Sequence, residues 1–317
     1  MIRKLWIGLM VAGICVLLYP QFADAQSQSR DARVVLSFLK IDHGARMVGM
    51  GGAFVAIADD MDAIFSNVAG LTHIERAGFS LGYTRWLFSD GIYSGGFAYN
   101  TPHGVLGLSV VGFKPHSFEE TTIFQPQGTG REPAMGNISI GLAYASKLTD
   151  RLSIGTLLRW TQETLDTDNL NVLDFSVSTL FYTGFKSLRL GMAFENLGKD
   201  LTLVEDRASM PVSFTIGGAM EILGEKGDQT YLTVTGENYY ATDAAKVQYR
   251  LGGELWLQET LALRGGYKVN FDEETFSVGA GFKFNPSEGR QLRVDVSYTD
   301  FGMYLDAPIR FTVGGSF

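Results

Sequence analysis

The sequence has a single cysteine, Cys15, and only 8 prolines among its 317 residues. Cys15 lies in an apolar run over residues 5–18, which follows two basic residues and precedes small residues at positions 23 and 25. This arrangement predicts a secretory signal peptide over residues 1–25, because the run is shorter than the roughly 20 residues of a spanning helix. The exported chain would then contain no thiol, so disulfide bonds are excluded as a source of its stability.

Charged residues are also scarce, at 19 % of the chain against roughly 25 % in globular proteins. Acidic residues outnumber basic ones by 34 to 26, which gives a net charge of −8 and argues against nucleic acid as a partner. Glycine and aromatic residues are abundant instead, a composition typical of many short strands. No Pro- or Ser-rich linker divides the exported chain, so we expect an N-terminal segment, 26–76, followed by one β domain, 77–317.

The chain has only 4 histidines and shows no catalytic motif in a suitable context. The sequence GFSLG at 78–82 matches the G-x-S-x-G pattern of hydrolases, which would make Ser80 a nucleophile. That pattern requires a strand, a sharp turn and a helix, whereas Ser80 lies inside a run that alternates like a strand. We therefore interpret Ser80 as an inward-facing serine, and since no residues have zinc spacing, we expect no catalysis, metal or cofactor.

Apolar and polar residues alternate with a period of two through most of the chain after residue 76, as in QLRVDVSYTD at 291–300. Such alternation indicates strands with one apolar and one polar face. The alternating runs predict fourteen strands, near 77–87, 91–100, 104–114, 136–147, 151–163, 171–182, 186–197, 210–222, 229–239, 246–257, 260–271, 274–285, 291–300 and 309–317.

Strands of this length, even in number, predict an all-β transmembrane antiparallel barrel of the bacterial outer membrane, in contact with its lipids. The alternative is a secreted β-sandwich, but fourteen strands with charged partners would leave more polar surface than two packed sheets require. Tight turns at 149–150 and 258–259 alternate with longer loops at 115–135 and 198–209. We expect the tight turns and the C-terminus, which ends in Phe317, on the periplasmic side.

The polar residues of the alternating strands predict a lumen lined with charged side chains. We expect most of these charges to pair with other charges of the wall or with the N-terminal segment. A turn at 258–260 would place Glu254 opposite Arg264. The predicted lumen charges are Arg159, Asp174, Arg189, Glu195, Arg250, Glu254, Arg264, Lys268, Lys283, Arg293 and Asp295.

The strand 104–114 is apolar in both phases. We expect Leu106, Leu108 and Val110, beside Pro115, to form an apolar patch in the lumen or at a lateral gate. The alternative is that they simply pack against the N-terminal segment.

Residues 38–71, FLKIDHGARMVGMGGAFVAIADDMDAIFSNVAGL, resemble the N-terminal segment of the PorV/PorQ group within the FadL-type outer-membrane barrels. In that group a run similar to GARxxGMGGAFVAxADD is followed by a helical turn and Asn-Pro-Ala-Gly. The corresponding residues here are Asn67, Val68, Ala69 and Gly70, so Val68 departs from the group's proline. The resemblance implies a fourteen-stranded barrel whose N-terminal segment folds inward as a plug.

The residue types of this segment suit a plug, because Gly49, Gly51 and Gly52 allow the backbone to approach a wall closely. We expect Asp59 to cap a short helix over 60–66, with Asp60 and Asp62 at its positive end and Asn67 at its close. A solvated acidic loop is the alternative. Val68 restores an N–H and relaxes the φ restriction that proline would impose.

The resemblance implies an accessory role in protein secretion of the type IX kind, in which the barrel binds exported proteins or partner subunits. The loops at 115–135, 164–170, 198–209 and 301–308 would form the binding surface. The alternative is a FadL-like passive channel for small hydrophobic molecules, in which the plug moves to open a route.

Overall fold

The computed structural model describes residues 35–199, 201–203, 206–244, 246–287 and 289–317. The predicted signal peptide and the first residues of the predicted plug, 26–34, lie outside the described residues. The strands are β1 (Ala77–Arg85), β2 (Gly91–Thr101), β3 (Gly104–Lys114), β4 (Met135–Lys147), β5 (Leu152–Leu165), β6 (Asp168–Tyr182), β7 (Arg189–Gly198), β8 (Leu201–Leu203), β9 (Asp206–Ala208), β10 (Ser213–Leu223), β11 (Thr230–Ala241), β12 (Gln248–Leu257), β13 (Leu261–Val269), β14 (Phe276–Ser287), β15 (Arg290–Thr299) and β16 (Ile309–Ser316).

Fourteen of these strands form one closed antiparallel barrel, and β8 and β9 form a separate two-stranded hairpin in the connection after β7. The prediction of fourteen barrel strands is confirmed, and each boundary lies within three residues of the predicted one. The barrel closes where β1 pairs with β16, from Gly78 opposite Ser316 to Arg85 opposite Ile309. Closure pairs the edge strands, which a bilayer requires because it offers backbone groups no hydrogen-bond partner.

The two faces of the wall differ as the period-two pattern predicts. On β15, Val294 and Val296 are exposed on the outer face, whereas Arg293 and Asp295 are buried on the lumen side. The same division occurs on the other barrel strands, so that large apolar side chains cover the outside. An apolar exterior around a polar interior is the pattern of a barrel that crosses lipid.

The connections at the two ends of the barrel differ in length. One end, the loop end, has long connections at 115–134, 199–212 and 300–308, and the other, the turn end, has short ones such as 102–103 and 258–260. The loop predicted at 164–170 was wrong, because β5 and β6 extend towards each other and leave only residues 166–167 as a tight turn, in which Asp166 has a φ of 59°. The chain ends at the turn end, where Phe317 stacks on Phe79.

The plug, residues 35–76 of the described chain, fills the lumen with short helical pieces joined by irregular backbone. They are α1 (Ala45–Gly49) and 3-10 helices at Ser37–Lys40, Met61–Phe65 and Val68–His73. The plug begins at the loop end, where the Val35 N–H donates to the Ser209 carbonyl at 3.3 Å, and it leaves at the turn end to enter β1. None of the helices described here has the length and apolar character needed to cross a bilayer.

Candidate functional site

Glycines in the barrel wall bring the plug backbone into direct contact with the wall backbone. A Cβ on Gly266 would overlap with the Gly51 nitrogen, and one on Gly191 would overlap with the Val55 carbonyl. Gly252 and Gly155 meet plug backbone in the same way, at Met50 and Val68–Ala69, and a Cβ on Gly279 would lie 3.0 Å from the Gly49 Cα. Since any larger residue at these positions would displace the plug, the wall and the plug are shaped for each other.

The predicted plug glycines lie at close contacts with the wall or with other parts of the plug. A Cβ on Gly49 would come within 3.2 Å of the Gly279 Cα, and one on Gly70 would overlap with the Ala58 carbonyl. Gly51 and Gly52 additionally adopt φ values of +67° and +77°, a left-handed conformation that glycine adopts without strain. Gly51 and Gly52 therefore require glycine for both conformation and space, and Gly49 and Gly70 for space alone.

Arg46 on α1 links the plug to itself and to the wall. Its guanidinium donates to both carboxylate oxygens of Glu254 on β12, at 2.8 and 2.7 Å, and to Asp59 at 2.5 Å. It also donates to Asp60. A buried guanidinium that binds carboxylates of both the plug and the wall fixes α1 against the wall, because bidentate and charge-assisted hydrogen bonds are strong and geometrically specific.

The network of ion pairs continues along the lumen side of the wall to Arg264 on β13 and Arg293 on β15. Arg264 donates to Glu254 and to Asp295, each at 2.7 Å, so the predicted Glu254–Arg264 pairing is confirmed. Arg293 donates to Asp295, to Asp60 and, at 3.1 Å, to Asp62. The plug aspartates Asp59, Asp60 and Asp62 are thus paired with Arg46 of α1 or Arg293 of β15, and a solvated acidic loop is not what the structure contains.

The predicted capping of the short helix was wrong by one residue. Asp60, not Asp59, is the N-cap of Met61–Phe65, and its carboxylate accepts the Asp62 N–H at 2.8 Å. Asp59 instead accepts from Arg46 and from Lys226, each at 2.5 Å. Arg46 also donates to Asp60, so what distinguishes Asp59 is its second cation, Lys226, while Asp60 adjoins the first helical residue and supplies the cap.

Two plug aspartates have opposite pKa shifts. Burial raises the pKa of Asp59, but the charges of Arg46 and Lys226 overcome this and hold its pKa well below the usual range. Burial and the nearby charge of Asp60 raise the pKa of Asp62 to about 6. Asp62 also accepts a hydrogen bond from Ser80 at 2.6 Å, which places Ser80 inside the barrel as predicted.

Asn67 joins three parts of the molecule instead of ending the helix before it. Its Oδ1 accepts the Ala69 N–H at 3.1 Å and so caps the following helix, Val68–His73. Its Nδ2 donates to the Val55 carbonyl at 2.6 Å and to the Thr179 carbonyl of β6 at 2.9 Å. The prediction that Asn67 ends helix 60–66 was wrong, because Ser66 already lies outside helical geometry.

A second set of ion pairs holds the plug nearer the loop end. Asp42 accepts from Lys268 at 2.9 Å and lies 3.4 Å from Arg250. Glu237 on β11 accepts the Val55 N–H at 3.0 Å. Beyond them, Leu36 and Phe38 pack with apolar residues of the wall and of the connection 199–212, including Ile92, Val111, Val172 and Met210, and so cover the lumen at this end.

The predicted apolar patch on β3 does not line the lumen. Leu106, Leu108 and Val110 are exposed on the outer, lipid-facing side, while Val105, Gly107, Ser109 and Val111 face inward. The prediction of a lumen position was wrong because both phases of this strand are apolar, so alternation alone could not decide its orientation. Pro115 follows the strand at the loop end and is half-buried.

Two small cavities lie between the plug and the wall, with volumes of about 40 Å³ and about 30 Å³. Both are bordered by Leu39, Ile41, Phe65, Ser66 and Glu195. The larger is also bordered by the serines Ser109, Ser139, Ser176 and Ser178. Each cavity has room for a few water molecules. The described part of the chain contains no cluster of three or more His, Cys, Asp or Glu residues arranged to hold a metal ion.

No family model matches the chain, and no curated protein matches it either. Several solved structures do match the chain. The TodX monoaromatic hydrocarbon channel, as its deltaS2 mutant, has a TM-score of 0.58 at 12 % identity, covering 86 % of this chain and 97 % of that one. The Pseudomonas putida toluene transporter TodX has a TM-score of 0.55 at 11 % identity, covering 86 % and 97 %.

A Pseudomonas aeruginosa FadL homologue has a TM-score of 0.54 at 10 % identity, covering 87 % of this chain and 98 % of that one. At identities this low, the similarity establishes the fold alone. The chain therefore has the fold of the FadL-type outer-membrane barrels, with an N-terminal plug inside a fourteen-stranded wall.

Proposed function

We propose that this barrel is an accessory component of protein secretion, of the PorV/PorQ type, that binds exported proteins or partner subunits at the outer membrane. The observation that carries the proposal is the fixed plug, whose backbone contacts wall glycines and whose Arg46 and aspartates pair with wall charges. A lumen filled in this way leaves the rim of the barrel as the surface for function. The sequence motif of residues 38–71 supports the same assignment.

In this proposal the C-terminus and the turn end face the periplasm, and the loop end faces outward. Single-chain outer-membrane barrels have short periplasmic turns and longer outer loops. A protease added to intact cells would test the orientation, because cleavage in 115–134 is expected and cleavage in the turn 183–188 is not.

Deletion of the gene tests the secretion role. We expect exported proteins to be lost from the cell surface, and expression of the full-length barrel in the deletion strain should restore them. Unchanged surface proteins in the deletion strain would contradict the proposal.

The second candidate is a FadL-like passive channel for small hydrophobic molecules. It is supported by the similarity to structures described as a monoaromatic hydrocarbon channel and a toluene transporter, and by the two cavities between plug and wall. Uptake of toluene by the deletion strain separates the candidates, since slower uptake than in the parent strain favours the channel and equal uptake opposes it.

A further inference from the structure

The connection 115–134 contains a hairpin, residues 119–131, that is stiffened by its own hydrogen bonds. The Glu120 N–H donates to the Arg131 carbonyl, and the Thr129 N–H donates to the Glu120 carbonyl, each at 2.8 Å. At the tip, Thr122 and Gln125 exchange backbone hydrogen bonds at 3.1 and 3.3 Å. The hairpin thus has a defined backbone in the connection between β3 and β4.

Two large apolar side chains stand at the tip of this hairpin. Ile123 is 89 % exposed and Phe124 is 88 % exposed. In the connection 300–308, between β15 and β16, Met303 and Tyr304 are similarly exposed, at 84 % and 88 %. Adjacent apolar side chains held in water by a rigid backbone are typical of surfaces that bind another molecule.

The base of the hairpin is fixed to neighbouring connections. Arg131 forms an ion pair with Asp166 in the turn between β5 and β6, and the Asp166 N–H donates to the Ala134 carbonyl at 2.7 Å. On the other side, the His116 N–H donates to the Asp90 carboxylate at 2.7 Å. A hairpin held in this way loses little conformational entropy when its tip is bound.

The charge of the connections around the hairpin indicates which kind of surface its tip can bind. The connections 86–90, 115–134, 166–167 and 300–308 contain seven acidic residues and one basic residue, Arg131. Arg131 itself is paired with Glu120 and Asp166. Anionic lipid headgroups bind basic segments and repel acidic ones. The acidic connections around the hairpin therefore disfavour binding to anionic lipid and favour binding to a basic protein surface.

We propose that the hairpin 119–131 inserts Ile123 and Phe124 into an apolar pocket of a partner protein whose surface around that pocket is basic. This inference rests on the proposed protein-binding function and names the part of the rim that performs it.

The test uses the full-length barrel in cells, with a photo-cross-linking amino acid at position 123 or 124. The matched control position is Phe185, which is 53 % exposed at the turn end. We expect a protein adduct, identified by mass spectrometry, from positions 123 and 124 and not from 185. With that protein purified, the double substitution Ile123→Ser and Phe124→Ser should weaken binding at least about tenfold, Phe185→Ser should not, and added salt should weaken binding.

Three outcomes would overturn the inference. Adducts from 123 and 124 that contain only lipid or a second copy of this chain would show that the hairpin does not bind a separate partner protein. Protein adducts from another rim position, such as 88, without any from 123 or 124 would refute the hairpin while leaving the secretion proposal in place. No protein adduct from any rim position would refute both.

Discussion

Gly265 and Gly266 are neighbours on β13 that face opposite sides of the wall. A Cβ on Gly266 would overlap with plug backbone at Met50 and Gly51, whereas a Cβ on Gly265 would have open space within 4 Å. We expect Gly266→Ala to destabilise the plug by about 1–3 kcal/mol, because inserted atoms in a packed interior force the backbone apart. Hydrogen exchange over residues 45–58 should become faster in this variant.

Gly265→Ala is the matched control for that substitution. It adds the same methyl group to the same strand but on the outer face, so exchange in the plug should not change. Equal exchange rates in the two variants would mean that close backbone contact does not hold the plug.

Val68 stands at the first position of the helix Val68–His73, where proline is favoured. The preceding residue, Asn67, has extended backbone, with φ −108° and ψ 93°, and so avoids the helical region that a following proline disfavours. We expect Val68→Pro to stabilise the protein by about 0.4–1 kcal/mol, because proline reduces the freedom of the unfolded chain. Slower hydrogen exchange over residues 59–71 would verify this, and faster exchange would show that the plug cannot accept the ring.

Asp62 should make plug stability depend on pH. Because its folded pKa is raised to about 6, above the roughly 3.9 of a free aspartate, the protonated form favours the folded state. That contribution is fully present below about pH 4 and is lost as the pH rises through about 6. Between about pH 5 and pH 7, Asp62→Asn should therefore show a smaller fall in thermal unfolding temperature than the wild type, and an identical fall would contradict the assignment.

At the scale of whole elements, α1 is held by the charges that Arg46 meets on both sides. Arg46→Met would leave Glu254, Asp59 and Asp60 without this cation, and loss of one partner from a buried network costs about 3–5 kcal/mol. We expect hydrogen exchange in α1 to accelerate accordingly.

Lys226→Met provides the comparison for Arg46→Met. Lys226 also pairs with Asp59, but its side chain is 54 % exposed, and an exposed pair contributes only about 0–1 kcal/mol. If both substitutions accelerate exchange in α1 equally, the burial of the network is not what fixes this helix.

The strands could be predicted from sequence because burial on one side and lipid on the other impose a period of two on nearly every strand. β3 shows the limit, since Val105 and Leu106 are both apolar and only the packed plug decides which faces inward. The short helices of the plug could not be placed accurately for another reason. Pieces of four to six residues, such as Met61–Phe65, carry no helical periodicity, and Asp59 and Asp60 are equally suitable caps by residue type.

For the molecule as a whole, the plug spans the lumen from the connection 199–212 to the start of β1. Apolar packing closes the loop end, ion pairs and backbone contacts hold the middle, and the two cavities described above each have room for only a few water molecules. The sequence motif could indicate a plug, but not that it is fixed, because the fit depends on wall glycines far away in the chain, such as Gly191 and Gly266.

Single-channel recording of the full-length protein in planar bilayers tests the fixed plug most directly. We predict no resolvable ion current through the wild-type barrel, and intermittent current through the Arg46→Met variant, in which the plug is released from the wall. A steady open-pore current through the wild type would contradict the account.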